Sequence, residues 1–130
     1  MFDNNIYIEG TCKNISKDGE VTGFELQTHI PYYRGIPLSM VNDVLVKAQG
    51  CQIERSTIHC SLDQKQWFTL DEMPTVTTYK WEYGEPLYIH VVKSGGLEVG
   101  ENTVELTVSV RTAYIPVPLV GVKAFTQVIR

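Results

Sequence analysis

Residues 101–114, ENTVELTVSVRTAY, alternate apolar and polar side chains along most of their length. Val104, Leu106, Val108 and Val110 share one face, while Thr103, Glu105, Thr107, Ser109 and Arg111 share the other. A period of two over this length specifies a β-strand with one face on a core and one facing water or a partner. VTGFELQTHI, residues 21–30, repeats the pattern, with Phe24, Leu26, Thr28 and Ile30 opposed to Glu25, Gln27 and His29.

NNIYIEG, GTCKNIS, VNDVLVKAQG, STIHCSL, QWFTL and PLYIHVVK are further short segments rich in β-branched or aromatic residues. Turn signals separate them. Asp18-Gly19 suits a tight hairpin, because that turn needs positive φ angles. Leu62 to Gln66 reads as a second turn, and Ser94-Gly95-Gly96 ends a strand before Gly100 opens the long one. No stretch keeps a helical stripe; the best is a single turn over TLDEM, Thr69 to Met73. The six prolines fall outside the expected central strands. The expected fold is therefore all-β: one antiparallel β-sandwich domain over residues 1–130, with about eight to ten short strands and little or no helix. The tail AYIPVPLVGVKAFTQVIR is interrupted by Pro116 and Pro118 but apolar again from Leu119, and is expected to form a final strand on this fold or against another subunit.

Function classes narrow with charge and composition. A 130-residue chain with a hydrophobic fraction of 43% can build a core without metals or disulfides. A formal charge of −4 with no basic run argues against nucleic acid. MFDNNIYIEG lacks the basic start and apolar run of a signal peptide, and no apolar stretch is long enough to span a bilayer, so a cytoplasmic location without membrane association is expected. Cys12, Cys51 and Cys60 are odd in number and widely spaced, which fits reduced thiols.

Catalytic chemistry is sparse. His59 and Cys60 are adjacent on a strand and so point to opposite faces, which keeps them from chelating one ion. Asp71-Glu72 and Glu82 with Glu85 are carboxylate pairs beside turns, where solvated charges are usual. No metal site and no catalytic residue is assigned to this chain. Aromatic residues and arginine, which serve interface hot spots, offer more. Trp67, Trp81 and Tyr88 all admit a core reading, which is favoured for Trp67. Tyr32, Tyr33 and Arg34 in the proline-flanked bend HIPYYRGIPLSMV, together with Trp81 and Tyr83, are the candidates for a binding surface between subunits.

The order of segments resembles a known family. YRGIPLSMVNDVLVKAQG, then IHCSLDQKQWFTLDEM, then KWEYGEPLYIHVVKSGGLEVGENTVELTVSVRTAYIP are similar to the beta subunit of C-glycoside deglycosidases, over roughly Gly23 to Pro116. The markers are Tyr33-Arg34-Gly35 with Pro37-Leu38-Ser39, the Trp81-x-Tyr83-Gly84 turn, and Gly95-Gly96-Leu97 ahead of Gly100-Glu101. The resemblance implies a β-sandwich that forms a hetero-oligomer with a larger alpha subunit, itself similar to sugar-phosphate isomerases. That TIM-like barrel would carry a divalent metal (Mn or Mg) and the catalytic histidine, leaving no cofactor in the present chain. The implied substrate is a C-glycoside, flavonoid C-glycosides among them, already oxidised to a ketone at the sugar's third carbon. Cleavage of its carbon–carbon bond by elimination would release the aglycone, making the complex a lyase. The residues alone also admit a standalone carbohydrate-binding module, since exposed Trp and Tyr on a sandwich can stack on sugar rings.

Overall fold

A computed structural model describes residues 6–30, 35–48, 50–82, 85–112 and 115–129. The strands follow in the order β1 (Lys13–Lys17), β2 (Glu20–Thr28), β3 (Ile36–Pro37), β4 (Val41–Ala48), β5 (Cys51–Gln52), β6 (Ile58–Ser61), β7 (Phe68–Thr69), β8 (Lys80–Trp81), β9 (Leu87–Val92), β10 (Gly100–Thr112) and β11 (Ile115–Ile129). They form a five-stranded sheet in the order β1-β2-β9-β6-β7, a four-stranded sheet β11-β10-β4-β5, and a ribbon β3-β8. All pairings are antiparallel. The all-β expectation holds, and the helical content of the described residues is three 3-10 turns, at Leu38–Met40, Arg55–Thr57 and Met73–Thr75.

The alternation in the sequence decides which side chains meet in the core. Phe24 pairs with Val91 and Val91 with Ile58; Leu26 pairs with Ile89 and Ile89 with Cys60. In the other sheet Val44, Val46 and Ala48 lie opposite Val108, Leu106 and Val104. These rows are buried and belong to one apolar cluster shared by both sheets, the arrangement of a sandwich. Asp18 and Gly19 have φ of 54° and 82°, as the β1–β2 hairpin requires.

The expected turn at TLDEM is present, with the Glu72 N–H donating to the Thr69 carbonyl, and it leads directly into the 3-10 turn at Met73–Thr75. The segment between β2 and β4 carries the chain from one sheet to the other and contributes β3 on the way. The C-terminal run is a strand of this fold: β11 pairs with β10 from Ile115 to Ile129 and includes both Pro116 and Pro118. Prolines are tolerated there because β11 is the edge of its sheet and one side of its backbone has no ladder to satisfy.

Glycine matters where strands crowd. A Cβ at Gly23 would fall inside contact distance of the Val91 carbonyl, so β2 and β9 approach here more closely than a side chain permits. Gly96 has φ of 59° and packs on the Asn14 side chain and the Gly23 carbonyl. The Asn14 amide donates to the Leu97 carbonyl at 3.0 Å and accepts from the Leu97 N–H at 2.8 Å, as an added strand would.

Candidate functional site

Register across the five-stranded sheet builds one outward row: Lys13 pairs with Glu25, Glu25 with His90, His90 with His59, and His59 with Thr69. Directly paired residues project to the same face, so five strands contribute one side chain each to a polar line. Four come from segments that alternate apolar and polar residues, which fixes this face as the one away from the core.

Glu25 is the hub of the line. One carboxylate oxygen lies 2.8 Å from His90 Nε2, the other 3.5 Å from Lys13 Nζ. The Glu25 and His90 side chains are 24% and 30% exposed, so their interaction is partly sheltered from water. The Trp67 indole stacks on the His90 imidazole, with ring centroids 4.0 Å apart and planes inclined by 28°. Trp67 is carried there by the turn after β6. Ser61 Oγ accepts from the backbone N–H groups of Asp63 and Gln64, and Asp63 Oδ1 accepts from those of Lys65 and Gln66 at 2.9 and 3.0 Å. Those backbone donors, Gln66 first, hold the Asp63 carboxyl below its ordinary value. At the far end of the row Glu72 Oε1 accepts from the Thr69 N–H at 2.8 Å and from its hydroxyl at 3.1 Å, which lowers the Glu72 pKa in the same way.

A carboxylate bonded to an imidazole beneath an indole offers hydrogen-bonding groups and a flat apolar face within a few ångströms. Such a set can bind a polyol or anchor a protein partner. Among the described residues no three of His, Cys, Asp and Glu are placed to hold a metal ion. The three cysteines are free, with Cys51 exposed and Cys12 and Cys60 buried. Burial pushes both buried thiols up to about 12, with the Glu25 charge adding to the effect at Cys12.

The two tryptophans lie in different surroundings. Trp81, a candidate for the subunit surface, is fully buried, and its Nε1 donates to the Glu85 carbonyl at 2.9 Å. It alternates with exposed Lys80 in β8, and the indole points into the core. This corrects the docking assignment for Trp81, because a side chain without exposed area offers none to a partner. Trp67, expected in the core, is half-buried over His90 instead. Tyr88 is likewise half-buried. The other candidates, Tyr32, Tyr33, Arg34 and Tyr83, lie outside the described residues. Gly35 and Glu82, which follow and precede those stretches, are packed against each other beside the Ile36–Trp81 pairing.

The Trp67–His90–Glu25 grouping is absent from any linear motif. Glu25 and His90 are 65 positions apart, and only the β2–β9 register unites them.

The family model for the C-glycoside deglycosidase beta subunit matches residues 2–114. That match reaches further toward the N-terminus than the segments from which the resemblance was read, and it takes in β1, which supplies Lys13. A C-glycoside deglycosidase beta subunit from Eubacterium cellulosolvens is 28% identical over 99 residues, which cover 76% of this chain and 67% of that protein. With a match over nearly its whole length, from the segment before β1 to the end of β10, this chain belongs to the C-glycoside deglycosidase beta subunit family.

Proposed function

We propose that this chain is the small accessory subunit of a heteromeric C-glycoside deglycosidase. The observation that carries the reading is the family match over residues 2–114. The larger partner, an isomerase-like barrel, holds the divalent metal and the base. The substrate is a C-glycoside bearing a ketone at the third sugar carbon. That ketone acidifies the adjacent C–H; the base removes the proton, the electron pair forms the ring double bond, and the bond from sugar to aglycone breaks. The aglycone carbon takes up a proton, which leaves a free aglycone and an unsaturated keto sugar. The present chain assembles with the barrel and stabilises or shapes its active site, and the complex works in the cytoplasm.

Mixing tests this directly. The purified chain alone should release no aglycone from a 3-oxo-C-glycoside, and activity should appear when the larger subunit is added. Turnover by the isolated chain would refute the division of labour.

One observation favours a second reading, a carbohydrate-binding module. Trp67 is partly exposed beside hydrogen-bonding groups on an outward sheet face. Glycan titration of the isolated chain, followed by tryptophan fluorescence and repeated with Trp67→Ala, separates the two: saturable quenching lost in the variant supports the module.

A further inference from the structure

The polar line through Glu25 and His90 has a neighbour one step along the same face. Gln27 pairs with Tyr88 and Tyr88 with Ser61, each two positions from Glu25, His90 or His59 on its strand. Side chains two apart on a strand share a face, so this second row also points away from the core. Trp67 lies two positions before Thr69 and takes the same side; its indole reaches across β6 to His90 on β9.

Hydrogen-bonding capacity on this face is unevenly used. Glu25 holds His90 and Lys13, and Ser61 is committed to the turn that carries Trp67. The Tyr88 hydroxyl, the Gln27 amide and the His59 imidazole are half-buried and form no hydrogen bond with any described residue. Water serves them in the free chain. His90 occupies one face of the indole, and Trp67 is only half-buried, so its opposite face meets solvent. Three polar groups with spare capacity thus surround a flat apolar surface, each placed by strand pairing.

We propose that this face binds one neutral sugar ring, its C–H side lying on the Trp67 indole and its hydroxyls bonding to Tyr88, Gln27 and His59. The proposal rests on the carbohydrate-binding reading above and gives it a ligand and a set of contacts. An accessory subunit can carry such a site, so the heteromeric reading does not depend on it. Sugar hydroxyls both donate and accept, as do phenol, amide and imidazole groups, so the water on these side chains is replaced bond for bond. The indole supplies the apolar area that water cannot use. Size sets one limit: from β2 to β7 three strand spacings give about 14 Å, and two residues along a strand give about 7 Å. One ring lies flat on that area, and a long glycan chain does not. Charge sets another. Glu25 within the patch and Glu72 beside its far end repel a carboxylate, while Lys13 is paired with Glu25, so a neutral hexose is preferred to a uronate.

Proton NMR of the full chain, following the two indole Nε1–H resonances, tests the site. The probes are the methyl glycosides of glucose, galactose, mannose and xylose, with methyl glucuronide as the charged counterpart. At least one neutral glycoside should shift the Trp67 resonance saturably in the millimolar range and leave that of buried Trp81 in place. Tyr88→Phe, which keeps the ring and removes one oxygen, should weaken that binding at least threefold, and Gln27→Leu likewise. The glucuronide should bind at least threefold more weakly than the glucoside, and equal binding overturns the preference for a neutral ring. A saturable Trp67 shift that neither variant alters overturns the site while the carbohydrate-binding reading stands. No shift with any probe overturns both and leaves the heteromeric reading untouched.

Discussion

The Trp67 indole lies over the His90 imidazole with 4.0 Å between ring centroids, on the outward face of the sheet whose opposite face forms the core. Trp81, by contrast, has no exposed surface. The two residues should therefore respond differently to truncation. Trp81→Ala leaves a large cavity and an unpaired Glu85 carbonyl, and should cost about 3 to 5 kcal/mol of unfolding free energy. Trp67→Ala loses a partly solvated stack and should cost about 1 kcal/mol. Urea denaturation of both variants measures the contrast; equal losses would mean that Trp67 belongs to the core after all.

Thiol reactivity follows from burial. At neutral pH an exposed-thiol reagent should modify Cys51 alone, giving one equivalent per folded chain and three in denaturant. Cys12 and Cys60 are protected twice, by packing and by pKa values raised to about 12. The sign of the linkage is fixed by that elevation. The unfolded thiols ionise near pH ~8.5, so the unfolded state binds fewer protons above that value. Their contribution to stability is complete below the unfolded pKa and is lost as pH rises through the folded one. A Cys60→Ala variant should show a shallower decline in urea midpoint between neutral and strongly alkaline pH than the parent.

The acid side has a different origin. Asp63 and Glu72 are exposed, and backbone N–H donors hold both carboxyls below their ordinary values. A depressed carboxyl stabilises the fold above its unfolded pKa, and that contribution disappears as pH falls through the folded one. Asp63→Asn and Glu72→Gln should each flatten the fall in urea midpoint on acidification, with the two effects additive because they serve separate turns. Identical acid limbs in parent and variants would show that these bonds do not persist in solution.

Gly96 and Asn14 form one structural unit. A side chain at Gly96 meets a φ of 59°, the Asn14 amide and the Gly23 carbonyl together, so Gly96→Ala should cost about 2 kcal/mol. Asn14→Ala leaves both the Leu97 N–H and C=O without their side-chain partner, at a cost of about 1 to 2 kcal/mol. Thermal unfolding of the double variant should fall short of the sum, since both changes break one contact.

Strands β2 and β10 were legible because burial on one face imposes a strict period: Phe24 and Leu26, then Val104, Leu106, Val108 and Val110, are all in the core. Pro116 and Pro118 looked like interruptions, yet the strand passes through them, because a sheet margin does not need every N–H. The outward row was hidden for another reason. Lys13, Glu25, His90, His59 and Thr69 become neighbours only through four separate strand registers, and alternation tells which face a residue takes but not which residue stands opposite. The tryptophans show the same limit. Indole size favours burial for both, and the choice between them falls to local geometry: β8 turns Trp81 inward, while the Asp63 turn delivers Trp67 to the outer face.

The pairing of β4 with β10 has a consequence for synthesis. Val44 lies opposite Val108, so the four-stranded sheet cannot begin to close until some sixty residues after β4 have left the ribosome. At elongation rates of about 5 to 20 residues per second, Val44 and Val46 stay without their strand partner for roughly 3 to 13 s. β1, β2 and their hairpin are available throughout that interval, but β9, their partner in the first sheet, emerges only shortly before β10. Both halves of the sandwich thus become able to form almost together, once β10 has emerged.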